Sequence, residues 1–164
     1  MSTKSQKYKT VILQLLKELG GSVRGKKKLA KLLYFVDFDS YELYEKSVTN
    51  DVYYARDMGP LGASLQERLS EMEEENLITV RKEKTSGNRG FEPTVVYKVK
   101  AGADISLLSK NEIKIIRRVA QKYGRLTGKQ LEDISHSEAP YVGTERHQQI
   151  PYELSLYRGT EFTD

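Results

Sequence analysis

Cysteine is absent from the 164 residues, which excludes disulfides, thiolate metal sites and cysteine nucleophiles and makes a reducing cytoplasm the expected location. Histidine is scarce. His136 and His147 stand in a stretch without regular periodicity, whereas a catalytic metal needs clustered ligands, so neither a metal nor a cofactor is expected. No apolar run approaches the roughly 18 residues that a membrane-spanning helix requires, so no membrane partner is expected. The opening MSTKSQKYKT carries lysines but no apolar core and no small-residue cleavage site, and is not read as a secretory signal. The Gly-x-Ser-x-Gly elbow, the Gly-x-Gly-x-x-Gly fingerprint and the P-loop are also missing. A Ser-His-Asp set is defined by geometry and not by order, so counting leaves it open. The neighbouring carboxylates Glu71, Glu73, Glu74 and Glu75 read as a solvated helix face before they read as a glycosidase pair. The chain is not expected to be an enzyme.

What is present fits one domain over residues 1–164, long enough to bury roughly two-thirds of its unfolded surface. The net charge of +4 conceals a segregation. Met1 to Lys31 holds nine Lys or Arg against Glu18 alone, Leu32 to Glu75 reverses to eleven acids against three bases, and Asn76 to Lys100 is basic again. Blocks of this kind form solvated faces or steer a partner of opposite charge.

Periodicity defines the elements. Tyr8, Val11, Ile12, Leu15, Leu16 and Leu19 share one helical face, stopped by Gly20-Gly21. Leu29, Leu32, Leu33 and Val36 mark a second helix running to about Tyr44. Its first turn holds Lys26, Lys27 and Lys28 against the helix dipole, as a solvated end or an anion-binding patch. Asp51 to Arg56 suits a short strand, with Val52, Tyr53, Tyr54 and Ala55. Gly59 breaks it, and Pro60 is expected in the first turn of a helix whose buried stripe is Leu61, Leu65, Leu69 and Met72, capped by Asn76. Leu77 to Val80 and Thr94 to Val99 read as strands joined by the polar turn Ser86 to Gly90, so helix, strand, basic turn and strand follow in winged-helix order. Ser109 with Glu112, and Thr127 with Gln130, form capping boxes. The first opens a helix faced by Ile113, Ile116, Val119, Ala120 and Tyr123 and ended by Gly124, and the second opens one bearing Leu131 and Ile134. The tail from His136 reads as irregular. The expected fold is α+β, a mostly helical body with a small antiparallel sheet.

The densest signal lies between Lys31 and Leu65, which holds five of the eleven tyrosines. Tyr34 and Tyr53 read as core. Tyr41, Tyr44 and Tyr54 read equally as core or as interface anchors, since tyrosine offers apolar area with a polar tip.

Lys31-Leu32-Leu33-Tyr34-Phe35 with Asp37, Thr49 to Tyr53, Gly59-Pro60, Ser109 with Glu112, Tyr123-Gly124, Leu131, and Ser135 to Tyr141 with His136 and Pro140 follow one another across roughly Thr10 to Tyr141. In that order they resemble the Panacea domain, the SocA-like antitoxin family of bacteria and their phages. Leu61-Gly62 departs from the usual Val-Pro, Tyr141 stands in place of Trp, and Asp39-Ser40-Tyr41 lacks a histidine that many members carry. The resemblance implies an antitoxin that binds and neutralises a toxin encoded beside it, by occlusion or by delivery to a protease, with 142–164 as an irregular tail. In it, Lys31, Tyr34, Tyr53, Gly59, Pro60, His136 and Pro140 hold the fold or bind. The expected partner anchors are Tyr41, Tyr44, Tyr54 and Arg56, with an acidic surface of Asp37, Asp39, Glu42 and Glu45 steering a basic toxin.

The rival reading is a DNA-binding regulator. Arg81, Lys82, Lys84 and Arg89 near the expected wing would contact phosphates. The helix before them is acidic where a recognition helix should be basic.

Overall fold

The computed structural model describes residues 3–83 and 94–163. Helix α1 spans Thr3–Glu18 and buries the predicted face. It stops where Gly20 and Gly21 adopt φ of 95° and 107°, a region open to glycine at little cost. The chain then makes a three-residue strand, β1 (Ser22–Arg24), too short to leave a periodic mark in the sequence. Helix α2 (Lys26–Tyr44) follows and is buried on almost every side from Leu29 to Ser40. It forms the centre of the molecule. Its end is set by Glu45, which turns left-handed at φ 57° and donates its N–H to Tyr41.

The Gly-Pro segment departs from expectation. Pro60 does not open a helix: Gly59–Gly62 is a strand, β3, paired antiparallel with β2 (Tyr53–Arg56), and Leu61 belongs to it. Pro60 lies opposite Ala55. The N–H and C=O of Ala55 point the other way, to Gln148 O at 3.0 Å and His147 N at 2.6 Å. The position therefore asks for no amide proton, which proline lacks. Helix α3 begins later (Leu65–Glu74), with Leu65, Leu69 and Met72 buried. Asn76 closes it at φ 59°, where Leu77 N–H reaches Met72 O at 2.9 Å.

Strands β4 (Ile78–Glu83) and β5 (Thr94–Val99) complete a three-stranded antiparallel sheet in the order β1-β5-β4. The connectivity α1, β1, α2, α3, β4, β5 is that of a winged helix with the β2–β3 hairpin inserted between its second and third helices. The expected turn at Ser86 to Gly90, with Lys84 and Arg89, lies outside the described residues.

Helix α4 (Lys110–Tyr123) and helix α5 (Gly128–His136) both carry the predicted capping boxes. The face of α4 is turned slightly from expectation, burying Ile115 while Ile113 is only partly covered. The tail is more ordered than its sequence implied. Helix α6 (Ala139–Val142) has Pro140 in its first turn. Residues 147–150 run beside β2, Ile150 N–H bonding Tyr53 O at 2.8 Å, and a 3-10 turn at Tyr152–Tyr157 packs on α2.

One hydrophobic cluster joins these parts, from Ile12 and Leu16 through Leu32 and Phe35 to Leu69, Ile116, Leu131 and Ile150. Phe35 stacks on Tyr123 with ring centres 4.1 Å apart. No helix among the described residues is long and apolar enough to cross a membrane.

Candidate functional site

The second half of α2 points carboxylates inward. Asp37 is fully buried, and its Oδ1 accepts the N–H groups of Val48 and Thr49, both at 2.8 Å. Its Oδ2 accepts the hydroxyls of Thr49 and Tyr53, both at 2.6 Å. Burial pushes the Asp37 carboxyl above its usual range, and these four donors pull against that rise. Beside it, Asp51 takes the Tyr8 hydroxyl at 2.5 Å and the N–H groups of Val52 and Ser64 at 2.7 and 3.1 Å. Tyr152, arriving from the tail, donates to Asp51 O at 2.5 Å. Thr49 and Tyr53 therefore act as one unit: their spacing brings two hydroxyls to the same carboxylate oxygen.

A second cluster surrounds Arg158, whose side chain is 0% exposed. Its guanidinium meets Asp39 at 2.9 Å, Glu42 at 3.0 Å and Glu138 at 3.0 Å. Arg118 reaches the other oxygen of Asp39 at 2.9 Å, and Tyr34 donates to Glu138 at 2.7 Å. Burial lowers the tendency of Arg158 to hold its proton, but Glu138, Tyr34 and Asp39 outweigh it and raise its pKa. Asp39 is pushed up by its own burial, against the two arginines.

These positions correct the expected acidic steering surface. Asp37 and Asp39 are inside, because donors brought by the 48–53 loop, α4 and the tail enclose them. Glu42 is tied to Arg158 and to the Thr160 N–H at 2.9 Å. Glu45 alone of the four is exposed.

At the other end of α2 each lysine has its own partner. Lys26 donates to Gln66 at 2.6 Å, Lys27 pairs with Glu132 at 2.8 Å and Lys28 donates to Gly124 O at 2.6 Å. Lys31 is 3% exposed and donates to Pro60 O at 2.9 Å. Desolvation lowers its pKa to about 8, although Glu132 opposes the fall. Gly59 sits at φ 108° against it, and a Cβ there would lie 2.8 Å from Lys31 Cε. Pro140 is buried. His136 stacks on Tyr141 at 4.5 Å, and Tyr141 donates to Arg56 O at 2.6 Å. Most of the expected motif residues are thus packing or hydrogen-bonding groups: Tyr34 and Tyr53 are core, as expected.

The expected anchors do not form one patch. Tyr41 stacks on Tyr152 at 5.5 Å and lines a cleft of about 340 Å³ with Asn50 and Gln149. Tyr44 lines another, of about 170 Å³, with Lys114 and Phe162. Tyr54 and Arg56 are together, the guanidinium 4.9 Å above the ring. Arg81 and Lys82 are exposed on β4, Arg81 bonded to Glu83 at 2.6 Å.

Sequence reasoning missed Arg158, Glu138, Asp51 and Tyr152. The Thr49-to-Tyr53 spacing was a usable signal for the Asp37 cluster. Arg158 had none, since its partner Glu42 lies 116 residues away. Among the described residues, no group of three or more His, Cys, Asp or Glu is placed to hold a metal ion; the three carboxylates that converge at Arg158 hold its guanidinium instead.

The family model described as antitoxin SocA-like, Panacea domain, matches residues 29–141. The chain belongs to this family. The matched span begins at the Leu29 turn of α2 and ends at Tyr141 in α6, so it takes in Asp37, Thr49, Tyr53 and Glu138 but leaves Arg158 outside. No curated protein and no solved structure matches the chain. Membership of the Panacea family carries an antitoxin-type role in general, with a toxin-type protein as partner in general terms.

Proposed function

We propose that the chain neutralises a toxin encoded beside it by binding that toxin directly. The observation that supports this reading is the match to an antitoxin family across residues 29–141. The burial of the family's polar residues adds to it: Lys31, Tyr34, Asp37 and Tyr53 are used inside the protein, which leaves the surface to select the partner. Of the aromatic anchors, Tyr54 with Arg56 offers the best contact, a half-exposed ring under an exposed guanidinium. Tyr41 and Tyr44 contribute from separate clefts and carry less of the contact.

The test is co-expression. The neighbouring gene is induced in a bacterium with and without this chain, and growth arrest relieved only by the chain is the expected result. Arrest that the chain does not relieve, or a harmless neighbour, removes the antitoxin reading. Repeating the rescue in strains lacking cytoplasmic proteases separates the two routes: occlusion persists without them, and delivery to a protease fails.

The winged-helix connectivity supports a second reading, DNA binding. Against it, α3 is acidic, with Glu67, Glu71, Glu73 and Glu74, and would be repelled by phosphates. A gel shift on upstream DNA that weakens steeply with salt would favour this reading.

A further inference from the structure

Between the first turn of α2 and the turn of the β2–β3 hairpin lies a cleft of about 220 Å³. Its walls are carbon: Ala30, Met58, Leu61 and the methylene stem of Lys31. Met58 is 59% exposed at the hairpin tip, so much of its apolar surface is left to water beside the cleft. The hairpin is held against α2 by the Lys31 bond to Pro60 O and by the close approach of Gly59 to the Lys31 stem. The cleft is therefore built by the family's own Lys31 and Gly-Pro positions.

The rim is basic. Lys27 is answered by Glu132. Lys26 meets only the neutral amide of Gln66, and Arg56 meets the His147 ring at 3.2 Å and the face of Tyr54. Neither Lys26 nor Arg56 has a carboxylate partner among the described residues. The nearby Asp57 is taken by Arg146 at 2.7 Å. Lys26 also stands on the positive end of the α2 dipole, where a cation costs stability. A carbon-lined hollow between two cations that lack counter-charges fits an apolar group with negative charge beside it. A free inorganic anion would find carbon where it needs donors.

We propose that this cleft is where the toxin docks, taking one large apolar side chain of the toxin flanked by carboxylates. The apolar group packs on Ala30, Met58 and Leu61, and the carboxylates meet Lys26 and Arg56. This rests on the antitoxin reading above and gives the partner surface the opposite sign to that expected from sequence: the toxin's docking segment is acidic. Buried apolar anchors with charged rims supply affinity at the centre and encounter rate at the edge.

The experiment measures binding of the purified toxin, the product of the neighbouring gene, to four forms of the full chain by calorimetry. The double variant Lys26→Glu with Arg56→Glu is expected to bind about tenfold more weakly or worse, as is Met58→Asp alone. Tyr157→Ala, 77% exposed on the 3-10 turn, is expected to bind as wild type. Circular dichroism melts check that each form is folded. Met58→Asp changes a side chain at an exposed tip and keeps the test decisive should the double variant unfold. Binding of either cleft variant at wild-type strength overturns the cleft while leaving the antitoxin reading intact. Failure of the wild-type chain to bind or rescue overturns the antitoxin reading itself.

Discussion

The two ends of α2 carry opposite charges and treat them in opposite ways. The acidic second half turns Asp37 and Asp39 inward, where they meet four hydrogen-bond donors and two guanidinium groups. The basic first turn keeps Lys26 at the surface, beside a hollow and, among the described residues, without an opposite charge. The acidic stretch is thus an internal brace, and the basic one is the accessible face. A block of one charge in a sequence marks a surface only when no donor or acceptor elsewhere in the chain can enclose it, because an unpaired buried charge costs several kcal/mol and a satisfied one does not.

The comparison breaks most readily at Arg158. Arg158→Ala leaves Asp39, Glu42 and Glu138 facing one another, and should cost about 3–5 kcal/mol in urea unfolding. A cost below about 1 kcal/mol, the range of surface pairs, would mean the cluster is solvated after all. Asp37→Ala strands the hydroxyls of Thr49 and Tyr53 and two amides, with an expected loss of about 3 kcal/mol or more. Asp37→Asn keeps an acceptor and should lose less.

Gly59→Ala forces a side chain onto a backbone at φ 108° and against Lys31. It should cost about 1–3 kcal/mol and open the cleft, seen as a lower melting temperature. Lys31 itself gives a pH signature. Its folded pKa of about 8 lies below the ordinary lysine value of 10.5, so the folded state binds fewer protons between those values and stability rises with pH across that window. The difference in urea midpoint between wild type and Lys31→Met should show this slope, since the buried tyrosines, whose pKa values are raised, cancel between the two. An equal pH profile for both proteins would place Lys31 in water.

The smallest effect sharpens the contrast from the basic side. Lys26→Glu puts a carboxylate on the positive end of α2 and should stabilise the fold by about 0.3–1 kcal/mol, while weakening toxin binding if the cleft is the docking site. A residue that costs stability and aids binding is the mark of a surface kept for a partner.

Much of the fold was legible. The 3.6-residue period located α1, α2 and α4, Gly20-Gly21 marked a stop, and both capping boxes formed as their spacing implied. The Gly-Pro segment misled because proline before an amphipathic run suits a helix start as well as a strand edge. The deciding fact, that Ala55 turns its polar groups to residues 147–148, is not local. Strand β1 was too short to signal, and the tail had no periodicity to read because its order comes from docking on α2 and β2.

Sequence by itself therefore determined the local elements and the family, because helix propensity, capping and turn preferences act over a few residues. Only the tertiary structure decided which charges face water. Asp37 is enclosed by a loop that begins 11 residues on, and Glu42 by an arginine 116 residues away. Lys26 is left at the rim because, among the described residues, its side chain meets the amide of Gln66 and no carboxylate. Burial of a charge depends on partners that the chain brings together through space, and spacing along the chain does not encode where they meet.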